Sequence, residues 1–447
     1  MTPTGADGAA GDTLYAPITA TGKAAVVAVR LSGPAACRVV AALGPPLPSP
    51  RRMALRRLVD PTTGKVIDDA LVTCFPAPAS FTGEDVAEIH LHGGVVPLRR
   101  LLGALSSLPG LRPASPGAFT RRALRNGRLD LTQAEAIADL VDAETEAQAR
   151  QAQRQLDGAL GRAVTTWRDQ VMAMRASAEA LLDFADEGDV GVVDDDDGRT
   201  AQALVMELRA AIADRSAERL RDGVRVALIG PPNAGKSSLL NALAGRDVAI
   251  VHTAPGTTRD PLEVALELDG LPMTAVDTAG LRESEDPVEA EGVRRAESAA
   301  ATADLRLLLV DGARWPDIDR LPAARADDVL VLTKTDLEPP EPHRLVGRPL
   351  VGASVVDDHG LDALLAALRD AVGRKLVGSG GPQLTRERHR EALARAAAAL
   401  ELFPAETEPV LRAELLRRAA AALGEITGDG GVEAVLDAVF ARFCIGK

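Results

Sequence analysis

The stretch Gly230-Pro231-Pro232-Asn233-Ala234-Gly235-Lys236-Ser237 decides how the middle of the chain folds. It is a GxxxxGKS loop set between a short apolar run, Val224 to Ile229, and a segment of helical character opening at Ser238-Leu239-Leu240. A strand, a glycine-rich loop and a helix in that order wrap backbone amides around phosphates. They bring the lysine to the β and γ phosphates and the serine hydroxyl to Mg²⁺. Outward from the loop, apolar runs recur at Met273 to Val276, Leu305 to Val310 and Val329 to Leu332. Strands alternating with helices imply a mostly parallel sheet, so residues 223–377 read as an α/β domain.

The loop alone does not choose between ATP and GTP. Thr257-Thr258 offers a second hydroxyl for Mg²⁺, and Asp277-Thr278-Ala279-Gly280 follows a buried strand, where a carboxylate holds metal and a glycine amide meets the γ-phosphate. Thr333-Lys334-Thr335-Asp336 follows the next run, and Asp336 is placed to accept from N1–H and the 2-amino group of guanine, which adenine does not supply. A P-loop ATPase is disfavoured on that ground. These four pieces in this order resemble the Ras-like G domain of translation-factor-related GTPases. Such enzymes orient the attacking water with a Gln just after the DxxG glycine, but here that position is Leu281. Glu283, Glu285, Asp286 and Glu289 are the downstream candidates for the task. Transition-state charge falls either to Arg259 or Arg282 or to a bound cation.

Composition limits what the flanks do. At roughly 100–200 residues per domain, 447 residues make several domains. A net charge of −13, from 51 Lys+Arg against 64 Asp+Glu, argues against electrostatic coating of nucleic acid. An aromatic content of 2% leaves few platforms for stacking bases. Cys37, Cys74 and Cys444 are odd in number and far apart, so neither a disulfide framework nor a CxxC metal site is drawn from them, which fits a reducing cytoplasm. The first residues carry neither a basic nor an apolar leader pattern, and no apolar run approaches the roughly 18 residues of a membrane span. The chain therefore reads as cytoplasmic.

Residues 1–125 mix Val-rich runs (Ala24 to Leu31, Leu71 to Phe75, Val86 to His90) with Pro and Gly breaks, an α+β pattern. Within it, His90 and His92 share a strand face as a candidate metal pair without an apparent third ligand. Residues 126–222 are helical, with Thr132-Gln133-Ala134-Glu135 read as a capping box and Asp194 to Asp197 as a solvated loop. After Gly378-Ser379-Gly380-Gly381-Pro382, residues 378–447 are helical again, with a stripe of Val435, Leu436, Val439, Phe440 and Phe443. The G domain is thus inserted into a helical domain that follows an α+β domain. Physics alone reads the tail Cys444-Ile445-Gly446-Lys447 equally as a frayed end with a small buried thiol.

GPPNAGKSSLLNAL from Gly230, APGTTRD from Ala254, DTAGLRE from Asp277, LDLTQAEAIADLVDA from Leu129 and the terminal FCIGK together resemble the tRNA modification GTPases of the MnmE (TrmE) family. The resemblance runs from Asp12 to Lys447. It implies a homodimer whose α+β domains bind 5-formyl- or methylene-tetrahydrofolate, and a K⁺-dependent GTPase activated when its G domains dimerise. It also implies a flavin-dependent partner, MnmG, in a heterotetramer or larger complex that puts a carboxymethylaminomethyl or aminomethyl group on C5 of the wobble uridine (U34) of certain tRNAs.

By motif position the resemblance assigns GTP to Asn233, Ala234, Gly235, Lys236, Ser237, Ser238, Thr257, Thr258, Asp277, Thr278, Ala279, Gly280, Thr333, Lys334, Asp336 and Ser354. It assigns Mg²⁺ to Ser237 and Thr258, and K⁺ to Asn233, His252, Ala254 and Thr257. Glu289 takes the water-orienting role and Cys444 a role in the modification chemistry. Folate falls to Arg30 in VRLSG, Glu88 in VAEIH, Arg128 in NGRLDL and Lys447.

The sequence departs from the family pattern at four places. Thr333 replaces Asn, and a hydroxyl does not make all of an amide's bonds, so weaker tethering of the guanine loop is expected. Ser354-Val355 stands for Ser-Ala, where a backbone amide makes the contact, and Arg128 stands for Lys with the same charge but another geometry. His252 stands for Thr at the K⁺ loop, which costs little where a main-chain carbonyl is the ligand. The rival reading is a regulatory RNA- or ribosome-binding GTPase switch. The tail and the α+β residues favour the enzyme, and the acidic total lends little to the rival.

Overall fold

The computed structural model describes residues 11–20, 22–183, 195–231, 233–245, 263–277, 301–314, 325–337, 350–429, 433–440, 443 and 446. In chain order the elements are β1 (Thr13–Pro17), β2 (Val26–Ser32), α1 (Ala36–Leu43), β3 (Ala54–Val59), β4 (Val66–Phe75), β5 (Val86–His92), α2 (Val95–Ser106), β6 (Leu111–Pro113), α3 (Ala118–Arg125) and α4 (Leu131–Asp142). There follow α5 (Glu146–Leu156), α6 (Ala159–Asp183), α7 (Asp195–Ala213), α8 (Ser216–Asp222), β7 (Val224–Ile229), α9 (Lys236–Ala244), β8 (Glu263–Leu268), β9 (Leu271–Asp277), β10 (Leu305–Asp311), β11 (Val329–Thr333) and β12 (Leu350–Ala353). The last helices are α10 (Leu361–Leu376), α11 (Glu387–Leu402), α12 (Pro409–Thr427) and α13 (Glu433–Phe440). Two units divide the chain, Met1–Ala138 with Gly424–Lys447, and Asp139–Leu423.

In the first unit the strands lie in the order β3-β4-β5-β2-β1-β6, antiparallel except for the β1–β6 pair. Side chains alternate between sheet faces. Val27, Val29 and Leu31 of β2 with Ala87, Ile89 and Leu91 of β5 therefore face one way and bury against Val39, Val40 and Leu43 of α1 and Leu101 and Leu105 of α2. Arg30 and Glu88, directly opposed in the β2–β5 register, face the other way. A polar pair is thus held on a rigid sheet with its apolar side already occupied.

The expected C-terminal stripe exists, and it is covered by α4. Leu436, Phe440 and Phe443 bury with Leu131 and Ala134, and the Phe440 and Phe443 rings sit 5.2 Å apart. The cap of α4 lies two residues earlier than the sequence suggested. Asp130 accepts from the Gln133 amide at 2.8 Å and its own amide donates to the Gln133 side chain at 3.0 Å. An Asp-x-x-Gln pair does this as well as Thr-x-x-Glu, and Thr132 instead lies within the first turn, donating its hydroxyl to Asp130 at 2.6 Å.

In the second unit, α6 and α7 are tied by the Trp167 indole, which donates to Glu207 at 3.0 Å. Helix α11 joins α7 through Arg209–Glu401 at 2.7 Å and through the buried Arg390, which donates to the Ile212 carbonyl of α7 and to Glu218 of α8 at 2.9 Å. The acidic run is not a solvated loop over its described residues, because Asp195, Asp196 and Asp197 open α7. Carboxylates in a first helical turn meet its positive end and favour the helix. The chain enters and leaves the α/β segment beside Asp214, whose carboxylate accepts from the Ser216 amide and hydroxyl and the Ser379 amide and hydroxyl. Burial pushes this carboxyl up, yet those four donors hold its pKa at about 2.

The α/β segment has strand order β12-β11-β10-β7-β9-β8, parallel except for the β8–β9 hairpin. Its core packs Val226, Leu228, Leu307, Leu309, Val329 and Val331 against Leu239 and Leu243 of α9 and Leu364 and Leu368 of α10. Below it lies a buried ion pair. Arg306 donates through Nε at 2.9 Å and Nη2 at 2.6 Å to the two oxygens of Asp328, whose carboxylate also accepts the Arg325 amide at 2.6 Å. Removing one partner leaves an uncompensated buried charge, so Arg306→Ala should lose about 3–5 kcal/mol of stability. Thermal unfolding checks this, and an unchanged melting temperature would show the pair to be dispensable.

Candidate functional site

Every described residue of the nucleotide motifs sits at the carboxyl ends of the parallel strands, where open α/β sheets bind ligands. The loop leaves β7 at Gly230, where an added Cβ would lie 2.5 Å from the Leu309 carbonyl oxygen of β10, so any side chain would part these strands. Asn233 and Gly235 both take left-handed backbone conformations, with φ of 64° and 84°, and Gly235 opens α9. Those two residues turn the chain back on itself and aim the first amides of α9 into the loop.

Lys236 is buried, and its ammonium donates to the carbonyls of Gly230 at 2.7 Å and Pro231 at 2.9 Å. The cation is therefore held over the loop by the loop itself. Ala234 is buried, while Asn233, Ser237 and Ser238 are exposed at the loop's open side. Asp277 ends β9 in register with Leu228 of β7, at the same carboxyl edge of the sheet.

The guanine end is built from β11 and β12. Thr333 is buried, and its hydroxyl lies 2.8 Å from the Ala234 carbonyl and 3.2 Å from the Val310 carbonyl. One hydroxyl thus lies within reach of both the phosphate loop and β10, and its single proton serves one of the two carbonyls at a time. Lys334, with φ of 58°, pairs with Asp311 at 2.7 Å. Asp336 accepts from the Ser354 hydroxyl at 2.7 Å, and Ser354 is itself fixed by its amide donating to the His359 carbonyl at 2.8 Å. This bond orients the carboxylate, and both of its oxygens keep acceptor capacity for a ligand. Asp311 is a site residue that sequence reading missed. Its position directly after the apolar run Leu305 to Val310 was the available signal.

Thr257, Thr258, His252, Ala254, Thr278, Ala279, Gly280, Glu289, Cys444 and Lys447 lie outside the described residues, as do Arg259, Leu281, Arg282, Glu283, Glu285 and Asp286.

A second site lies on the polar face of the first unit's sheet. Arg30, Glu88 and Arg128, from β2, β5 and the turn after α3, line one cleft of about 380 Å³ together with Arg51, Phe75 and Phe81. Arg30 donates from Nε at 3.0 Å and Nη2 at 2.8 Å to one Glu88 oxygen, leaving the other near His90 at 3.4 Å. The Arg30 guanidinium also lies 5.5 Å from the Phe81 ring centre. The loop carrying Phe81 is pinned from below: Thr82 shares a buried hydrogen bond with Ser32 at 2.7 Å, its carbonyl accepts from Asn126 at 2.6 Å, and Glu84 accepts from Arg122 at 2.9 Å. Arg122 also pairs with Asp12, whose carboxyl burial raises but Arg112 and Arg122 together draw below the usual range.

The two histidines do not converge on a third ligand. His92 pairs with Asp68 at 2.9 Å and His90 approaches Glu88, and no group of three or more His, Cys, Asp or Glu side chains suited to a metal occurs among the described residues. Among the same residues, no helix is long and apolar enough to cross a membrane.

With this geometry in place, comparisons with known proteins identify two family models in the chain, "GTP-binding protein TrmE N-terminus" over residues 13–128 and "MnmE helical domain" over residues 131–444. The chain is 54% identical to a "tRNA modification GTPase MnmE" from Methylorubrum populi, covering 98% of each. It is 49% identical to the protein of the same name from Paramagnetospirillum magneticum, covering 98% of this chain and 100% of that one. Among solved structures, the FeoB G-domain from Methanococcus jannaschii is 25% identical over 34% of this chain and 98% of that chain, with a TM-score of 0.25.

Proposed function

The chain belongs to the MnmE family of tRNA modification GTPases, and from that premise we propose that it hydrolyses GTP and takes part in carboxymethylaminomethyl modification of the wobble uridine of tRNA. In this reading it acts in the cytoplasm as a homodimer with the flavin-dependent protein MnmG. The observation that carries it, over a stand-alone regulatory GTPase, is the meeting of Arg30, Glu88 and Arg128 at one cleft. A pterin presents donors that Glu88 accepts, and a folate tail presents carboxylates that guanidiniums pair with, so one carboxylate among three arginines suits a tetrahydrofolate. Lys447 completes the set. That cofactor supplies the one-carbon unit of the modification, and Cys444 serves the same chemistry.

At the nucleotide end, Lys236 and the α9 amides take up charge on the β and γ phosphates while water attacks the γ-phosphorus and the bond to the β–γ bridging oxygen breaks. Ser237 and Thr258 would hold Mg²⁺, and Asn233 with His252, Ala254 and Thr257 would hold K⁺, each supplying positive charge beside the phosphates in the role an arginine finger has in other GTPases. Glu289 orients the water in place of the glutamine that Leu281 replaces, and Asp336 selects guanine.

Nucleoside analysis of bulk tRNA from a strain lacking this chain tests the proposal. Loss of carboxymethylaminomethyl- or aminomethyl-uridine, restored by the intact gene, is the expected result. An unchanged nucleoside profile would overturn it in favour of a regulatory GTPase.

A further inference from the structure

The cleft of the first unit carries a residue that the motifs did not point to. Arg51 follows Pro48-Ser49-Pro50 in the link between α1 and β3 and takes a left-handed backbone conformation with φ of 61°, unusual for a residue with a Cβ. Its amide donates to the Cys74 carbonyl at 2.8 Å, which fixes the link to β4. Its guanidinium lies 5.6 Å from the Phe75 ring centre and donates to the Ala79 carbonyl. The side chain is therefore held at two points above an anchored backbone while remaining exposed at the edge of the cleft.

The charges in the cleft differ in what they still have to offer. Arg30 is matched by Glu88, whereas among the described residues neither Arg51 nor Arg128 forms an ion pair with a carboxylate. Subtracting the one acidic lining residue from the three arginines leaves two positive charges on the walls. The same cleft presents the rings of Phe75 and Phe81, with the Arg51 guanidinium against the first and the Arg30 guanidinium against the second. A ligand complementary to these groups combines a polar part for Glu88, a flat apolar part for the rings and negative charges for the unmatched arginines.

Resting on the folate reading above, we propose that Arg51 is a specificity residue that binds the glutamate tail, so that the cleft prefers folates bearing a poly-γ-glutamyl chain to the monoglutamate. A monoglutamate brings two carboxylates and each added glutamate brings one more. A preheld guanidinium at the rim gains a charge-assisted bond from the longer tail without paying to order its own side chain.

Calorimetric titration of the full-length protein with 5-formyltetrahydrofolate as the monoglutamate, as the triglutamate and as the tail-less pteroate tests this. Wild type should bind the triglutamate about 10- to 100-fold more tightly than the monoglutamate, the range expected of a charge-assisted hydrogen bond, with the tail-less compound weaker than both. Arg51→Gln should abolish most of that preference while binding the tail-less compound as wild type does, and Arg51→Lys should keep part of it. An Arg51→Gln protein that retains the full tail preference would overturn the assignment of Arg51. Wild type that binds none of the three would overturn the folate reading itself, an outcome distinct from the first.

Discussion

Replacing Lys236 by alanine should lower kcat/KM for GTP by about 10²- to 10⁴-fold, the loss expected when one cation makes two charge-assisted contacts of roughly 1.5–3 kcal/mol each. The side chain is buried, and its ammonium already sits on the Gly230 and Pro231 carbonyls, so ordering it on phosphate costs little further entropy. Alanine would remove that charge and strip two carbonyls of their donor. Because the lysine bears on both the ground state and the transition state, KM should rise and kcat should fall together. Lys236→Arg should not rescue, since a planar fork does not fit where a compact ammonium is held between two carbonyls of one loop. Steady-state hydrolysis with nucleotide binding measured in parallel checks this. Turnover within a few-fold of wild type would show that the loop amides alone carry the phosphate charge.

What the sequence made legible was whatever depends on short-range pattern. The run Val224 to Ile229, the loop after it and the hydrophobic start of α9 specify a strand, a turn and a helix locally, and the structure builds them there. The stripe through Leu436, Phe440 and Phe443 was equally readable. Its partner was not: that the stripe buries against Leu131 and Ala134 depends on a contact between residues some 300 positions apart, which no window of sequence contains. Arg51 was hidden for the same reason. An arginine in a proline-rich link has no periodicity to mark it, and only the pairing of β4 with β5 brings Phe75, Glu88 and Arg51 to one cleft. The cap of α4 was misplaced because Asp130 and Thr132 are both competent N-caps. The choice fell to Asp130, whose box with Gln133 starts the helix at Leu131 and buries that side chain. Charge density misled at Asp195 to Asp197, where consecutive carboxylates suggested a loop although a helix N-terminus accommodates them.

Asp336→Asn should exchange the base preference of the nucleotide site from guanine to xanthine. The carboxylate accepts from N1–H and the 2-amino group of guanine, two hydrogen bonds to a charged acceptor worth roughly 1.5–3 kcal/mol each. An asparagine keeps one acceptor for N1–H but turns a donor toward the 2-position, where guanine also presents a donor. GTP affinity should therefore fall by about 10²-fold or more. Xanthine carries a carbonyl oxygen at that position, so the same amide nitrogen gains a partner and affinity for XTP should rise. The exchange needs the residue at position 336 to stay in place, and the structure provides for that. The Ser354 hydroxyl donates to Asp336 Oδ1 at 2.7 Å, a bond that an amide oxygen accepts equally well, and the backbone is held independently by β11 and by Thr333 on the Ala234 carbonyl. Hydrolysis in Asp336→Asn should then be restored by XTP to near the wild-type rate with GTP, because the substitution leaves Lys236 and the phosphate loop unaltered. Competition between GTP and XTP for binding, followed by turnover with each, measures both halves of the exchange. A variant that still prefers GTP would remove Asp336 from the base contact, and one that binds neither would mean that the Ser354 bond, and not the base, is what the carboxylate is for.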